Sequence, residues 1–353
     1  MAPILCQPYF DDQQIRFYST LGAIASAPFF SLDLASDIAA AWPGRTGGPN
    51  SVAVRNGKIF VSIDCNGQGG VLIYDFAEIF PIRTSDPIVV KPGPVNGLSS
   101  TGIAVEPVSG DLYIPTIVFG MEDAGVFVAS AASNYTAISQ FSSFNSDNSV
   151  AENCANLAFD GKGNLWMTTF SPSASPDEHF LICYKGLDKS AYYKVVNSAT
   201  KIYVATSQAG VAINVHLLSG PEGIAFDAAG NLWLGNNNDD FPTNNAGEGT
   251  LVRISAAYLN TLLAGTPALD NVVPAADADV MSIPAGKLGG LEFDGSVIYI
   301  NDQGQSQGSD FTLNGTVWRW DITKPFSTDF GESGIHTTYP GNGAGAILYP
   351  WFV

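Results

Sequence analysis

One phrase of sequence recurs along this chain and dictates most of what it can become. Its clearest copy runs from Gly220 to Gly235, Gly-Pro-Glu-Gly-Ile-Ala-Phe-Asp-Ala-Ala-Gly-Asn-Leu-Trp-Leu-Gly. Ile224 and Phe226 alternate with Ala225, the period-2 pattern of a strand. Residues 227–231 supply turn chemistry, with Gly230 able to take a positive φ, and Leu232-Trp233-Leu234 returns as the partner strand.

Four more copies open at residues 49–54, 101–105, 155–160 and 289–294. Each is followed by a turn, a return strand and a third apolar strand, at 70–75, 125–128, 180–184 and 316–320; residues 250–254 do this for the copy quoted first. In the first copy, residues 87–91 read as a fourth strand. The equivalent positions Val54, Val105, Phe159, Phe226 and Phe293 lie 51, 54, 67 and 67 residues apart. Four-stranded units at this spacing, each unable to bury its faces alone, predict an all-β fold, a β-propeller. The small residue between the apolar ones (Ala53, Ala104, Ala158, Ala225) suits a first strand crowded near the axis. The expectation is a single domain over residues 1–353. It has six blades, the sixth assembled from strand 14–19 and the C-terminal stretch 344–349, with five blades as the alternative. Closing the ring removes exposed edge strands. Short helices are expected at 35–42 with Ser36 as cap, at 255–265 with Ser255 as cap and Gly265 past the end, and within 74–80.

Composition narrows the partners. The 353 residues carry 33 acids against 15 bases, a net charge of −18. That field repels phosphates and anionic lipid, so neither nucleic acid nor membrane is an expected partner, while cations and cationic groups are favoured. The first residues lack a basic segment followed by an apolar run, so no signal peptide is expected and cytoplasmic synthesis fits, with a virion or the cell exterior open as final location. Cys6, Cys65, Cys154 and Cys183 lie far apart and read as buried free thiols.

The pattern Pro-x-Gly-Ile-Ala-Phe-Asp-x-x-Gly-Asn-Leu-Trp, followed by Leu-Val-Arg-Ile-Ser-Ala-Ala, resembles the repeats of NHL-type propellers. Their wider relatives are the SMP-30/gluconolactonase group and the streptogramin B lyases. The resemblance covers five repeats over residues 49–322. In the SMP-30-like enzymes it implies a divalent metal, Ca²⁺ or Mg²⁺, held by Glu, Asn and Asp side chains where the chain enters each first strand. Those positions here are Asn50, Thr101, Ala155, Glu222 and Gly289, with Asn156 one residue out of register. Glu222, Asn50 and Asn156 are therefore the metal candidates, and Ala155 and Gly289 bring no ligand.

Glu292 is the candidate for proton transfer, since it stands where four other repeats have Ala, and a desolvated carboxylate near the axis suits general acid–base work. The alternative is a structural carboxylate. Asn236, Asp239, Asp240, Asn301 and Asp302, at the ends of second strands, could form a cation or sugar site or simply serve as solvated turn residues. His179, His216 and His336 sit in no recognisable motif, no Gly-x-Ser-x-Gly elbow is present, and Cys and His do not cluster as zinc ligands do.

Two of five metal positions being empty, the first expectation is a non-enzymatic interaction or assembly module without a cofactor, such as a structural component of a virion. The second is a Ca²⁺- or Mg²⁺-dependent lactonase-like hydrolase or lyase. The third is a sugar- or calcium-binding propeller.

Overall fold

The computed structural model describes residues 3–21, 27–93, 97, 102–116, 125–143, 154–169, 179–197, 203–206, 212–236, 249–283, 288–302, 315–324, 332–337 and 346–348. The strands pair into six antiparallel sheets, the blades of a six-bladed propeller. Blade I contains Ile4–Tyr9, Gln14–Ser19 and Phe30–Asp33, with the C-terminal strand Ala346–Leu348 innermost, pairing Cys6 with Ala346 and Ile4 with Leu348. The chain ends thus close the ring as the sequence predicts. Blade II is Gly48–Arg55, Lys58–Asp64, Gly69–Asp75 and Ile88–Val90; blade III is Ala104–Val105, Leu112–Pro115, Gly125–Ala129 and Ile138–Ser143. Blade IV is Cys154–Phe159, Leu165–Thr169, Phe180–Tyr184 and Tyr192–Val196. Blade V is Pro221–Phe226, Leu232–Asn236, Gly249–Ile254 and Ala278–Ile283, and blade VI is Leu288–Asp294, Val297–Asp302, Gly315–Asp321 and Glu332–Thr337.

The recurring phrase has a specific physical job. In blade V, Asp227 Oδ1 accepts from the amides of Ala229 and Asn231 at 3.0 and 2.9 Å, while Oδ2 accepts from Asn231 Nδ2 at 2.8 Å and Trp233 Nε1 at 2.9 Å. Blade IV repeats this with Asp160, Lys162, Asn164 and Trp166 at 2.7–3.1 Å. Both indoles are fully buried, so each would lose a hydrogen-bond partner it cannot replace from water. The asparagines then reach outward: Asn231 Oδ1 accepts from Ala256 N and Asn164 Oδ1 from Gly186 N, both at 2.9 Å. One carboxylate therefore organises a hairpin, a core tryptophan and the next connection. Blade III uses Glu106 instead, accepting from the amides of Val108 and Ser109. Blade II needs no acid, because Asn56 and Gly57, at φ 48° and 72°, form the tight turn themselves.

The core is divided among the contacts between neighbouring blades. Blades IV and V share the cluster around Trp166, Leu181, Ile224, Leu232 and Val252, with Leu259 and Leu263 of the helix Ala256–Ala264 laid over it. Ser255 caps that helix by accepting from Tyr258 N at 3.1 Å, as expected, and Gly265 N closes its end. The first helix, Ala35–Ala41, differs from expectation: Ser36 lies inside it, and Asp33 Oδ1 accepts from Ala35 N at 2.9 Å. The carboxylate is placed ahead of the first turn, where anionic oxygens are favoured.

Two features were not anticipated. A hairpin, Tyr203–Thr206 with Ala212–Val215, extends blade V beyond its outer strand, and residues 268–271 run along the outer strand of blade IV, where Lys194 N donates to Ala268 O at 3.0 Å. Both cover sheet edges that would otherwise offer unpaired backbone. The four cysteines are free and buried. Among the described residues no helix is long and apolar enough to cross a membrane.

Candidate functional site

A channel runs down the axis, with a cavity of about 340 Å³ walled by the first strands of blades II to VI. Where the chain enters these first strands the register carries a repeated irregularity, one or two residues before the stretch that walls the cavity. In blade II, Pro49 lies opposite Ile63 and Ser51 opposite Ser62, so Asn50 is an extra residue. The same slip makes Ala155 extra in blade IV, Glu222 in blade V and Gly289 in blade VI. These are four of the five positions that the sequence marks as the chain's way into each blade; Thr101, the fifth, lies outside the described residues. A β-bulge of this kind re-aims the extra residue out of the blade's alternation, which is how such positions come to face a site.

Asn50 is buried and Glu222 half-buried, each on its bulge. Asn156 follows the blade IV bulge and lines the cavity. Its Oδ1 accepts from Leu157 N at 2.8 Å and presses on Gly102 of blade III so closely that a Cβ there would overlap it. Asn156 thus fastens two blades while touching the channel.

Deeper in the wall, Ala53, Ala104, Ala158, Ala225 and Glu292 stand at equivalent heights. Glu292 is half-buried, opposite Tyr299 in the next strand, and faces the closing blade. There the Cys6 thiol is pushed well above its ordinary value, first by burial and then by the Glu292 carboxylate. Arg55 lines the same cavity and went unnoticed in the sequence, although it occupies the hairpin position taken by Asp160, Asp227 and Asp294 in other repeats. Its guanidinium donates to the carbonyl of Pro107.

The second-strand candidates divide. Asn236 is fully buried and its amide is committed to the fold: Oδ1 accepts from Ser219 N at 3.3 Å, and Nδ2 donates to Leu217 O at 3.0 Å and Thr250 Oγ1 at 2.9 Å. Asn301 is buried within its strand, between Gly290 and Val317. Asp302 ends that strand, with its side chain outside the described residues, as are Asp239 and Asp240 altogether. His179 is buried just before strand Phe180–Tyr184, and His216 is half-buried ahead of blade V. The last segment does enter the ring, but through Ala346–Leu348; His336 lies in the outermost strand of blade VI, away from the axis. Among the described residues no three His, Cys, Asp or Glu side chains group closely enough to hold a metal ion.

Fold and wall together define a six-bladed propeller whose channel is lined mainly by alanine and larger aliphatic and aromatic side chains. No family model matches the chain, and no curated protein sequence matches it. Several solved structures resemble it. Regucalcin, a calcium-binding protein from Agrobacterium tumefaciens strain C58, shares 14% identity at TM-score 0.48 over 86% of this chain and 78% of that one. A structure solved as a candidate gluconolactonase shares 11% identity at TM-score 0.44 over 86% and 87%. The tricorn protease shares 10% identity at TM-score 0.43 over 92% of this chain, which spans only 30% of that protein. The fold rests on the strand pairing described above.

Proposed function

We propose that this chain is a non-catalytic β-propeller that serves as an interaction or assembly module, presenting its blades to protein partners. One observation carries the reading: the axial ring is alanine at four of its five described positions, with Glu292 the single carboxylate. A hard divalent cation takes about six to eight oxygens. Asn50, Glu222 and Asn156 offer three side chains, and the Asn156 oxygen already accepts a hydrogen bond. The donors present fit Ca²⁺ or Mg²⁺ poorly.

The bulges favour a second reading, a Ca²⁺- or Mg²⁺-dependent lactonase-like hydrolase or lyase. They set Glu222 and Asn50 at matching places in the first strands of blades V and II, and Glu292 lines the cavity that those strands wall. Thermal melting in excess Ca²⁺ or Mg²⁺ separates the two. Under the scaffold reading the melting temperature does not move. A cation bound at a hundred times its Kd would add about 2.7 kcal/mol of stability; such a shift, lost in Glu222→Gln and accompanied by lactone hydrolysis, would overturn the scaffold reading.

A further inference from the structure

We propose that the rim shared by blades I and II is a docking surface for a protein segment carrying apolar side chains flanked by lysine or arginine. The proposal rests on the scaffold reading and names the partner's chemistry. It starts from an aromatic path that leads out of the core. Phe17, fully buried in blade I, lies 5.1 Å from Phe30 and 5.9 Å from Phe76 between ring centres. Phe80 stacks on Phe76 at 5.5 Å and meets Phe30 edge-on at 5.3 Å, and Phe29 meets Phe80 edge-on at 6.1 Å. The path ends in water: Phe29 is 50% exposed, Phe80 37%, and the neighbouring Ile82 76%. Exposed apolar side chains scattered singly mean nothing, but aromatic rings contiguous with one another and anchored to a core are what binding surfaces use.

The anchoring is rigid. Arg83 forms a two-pronged bond to Asp37, both contacts at 2.7 Å, and Tyr74 donates to the same carboxylate at 2.6 Å, pinning the segment after Phe80 to the first helix. A surface held this way is ordered before its partner arrives, which lowers the entropic cost of binding.

Charge decides the occupant. The exposed ionised groups on the segments bearing the patch are the carboxylates Asp33, Glu78 and Asp86, while Arg83 is already engaged with Asp37 and Asp86. With −18 on the whole chain, a second copy or an anionic membrane meets repulsion and a cationic segment meets attraction.

The test uses the full chain and a labelled synthetic amphipathic peptide with Leu on one face and Lys on the other, read by fluorescence anisotropy. Saturable binding is expected, at least tenfold weaker in Phe29→Ser/Ile82→Ser at unchanged melting temperature, since both side chains face solvent. Glu78→Gln/Asp86→Asn should weaken it severalfold and flatten its salt dependence. A peptide with Glu replacing Lys should not bind, nor should vesicles of zwitterionic lipid. Absence of binding, or binding unchanged in Phe29→Ser/Ile82→Ser, overturns this surface. If binding instead falls in Val108→Ser, on the exposed hairpin of blade III, the scaffold reading stands and only this location fails. Cation-dependent lactone turnover would remove the scaffold reading, whatever the peptide does.

Discussion

The contact between blades IV and V and the seam between blades VI and I solve the same packing problem with different chemistry. The first is largely aliphatic around Trp166, whose indole is held by the repeat carboxylate Asp160. Among the described residues the second has the smallest apolar cluster, Leu5, Tyr9, Tyr18, Tyr299 and Val317, and three of those five side chains carry a hydroxyl. Tyr9 and Tyr18 share a hydrogen bond of 2.6 Å between neighbouring strands of blade I, and across the seam the Thr20 hydroxyl is hydrogen-bonded to that of Tyr299. Interfaces between consecutive repeats form from neighbouring sequence, so local hairpins and apolar burial suffice. The seam must join the two ends of the chain, and directional bonds supply the register that sequence proximity supplies elsewhere.

The largest effect that would break this contrast is Asp160→Ala. It strands the Trp166 indole, the Asn164 amide and two turn amides, and should cost about 4 kcal/mol in urea unfolding. Glu106→Ala in blade III, which holds two turn amides and no indole, should cost about 1–2 kcal/mol. Equal losses would mean that the indole bond contributes nothing. Next comes Leu5→Ala, opposite Ile347 of the strand that closes the ring and fully buried in the seam. It empties a packed position and should cost about 3 kcal/mol, with protease cleavage concentrating in blade I; uniform susceptibility around the ring would show that the seam is no special weak point.

The smallest effect, taken one tyrosine at a time, is alkaline. Burial, with the Tyr18 charge behind it, pushes the Tyr9 hydroxyl far above its ordinary value; burial likewise raises Tyr18, and lifts Tyr113 and Tyr184 to about 12. Each group is neutral when protonated and ionises more readily in the unfolded chain. The stability this provides is complete below the unfolded value of about 10 and falls as pH rises through it, by about 1.4 kcal/mol per unit for each such tyrosine. Melting temperature should therefore drop above about pH 10, and Tyr18→Phe should blunt the drop. A flat profile would mean the seam hydroxyls titrate freely in the folded state.

The sequence was most legible where the same physics repeats. Alternating Ile, Ala and Phe, then Asp, Gly, Asn and Trp, marks the inner strands because one face and one turn are constrained together. Most fourth strands were harder to see: Ile138–Ser143 reads Ile-Ser-Gln-Phe-Ser-Ser and Glu332–Thr337 reads Glu-Ser-Gly-Ile-His-Thr, because an outer strand has less to bury. The hairpin at 203–215 carries no repeat signature at all. Where the chain enters the first strands, Asn50, Glu222, Ala155 and Gly289 were picked out by position, but the bulge that sets them apart is a property of pairing between strands and leaves no mark in either strand alone. Asn236 looked like a loop ligand from its polar neighbours, whereas the structure turns its amide inward.

Those bulges have a consequence for how such a ring changes over time. A residue outside the ladder has no residue paired opposite it, so strand pairing constrains its identity less than its own surroundings do. Chemistry and architecture are thereby inherited separately, one position per blade. Ala155 and Gly289 carry no side-chain oxygen where Asn50 and Glu222 each carry one, so blades alike in architecture already differ in chemistry at this one position.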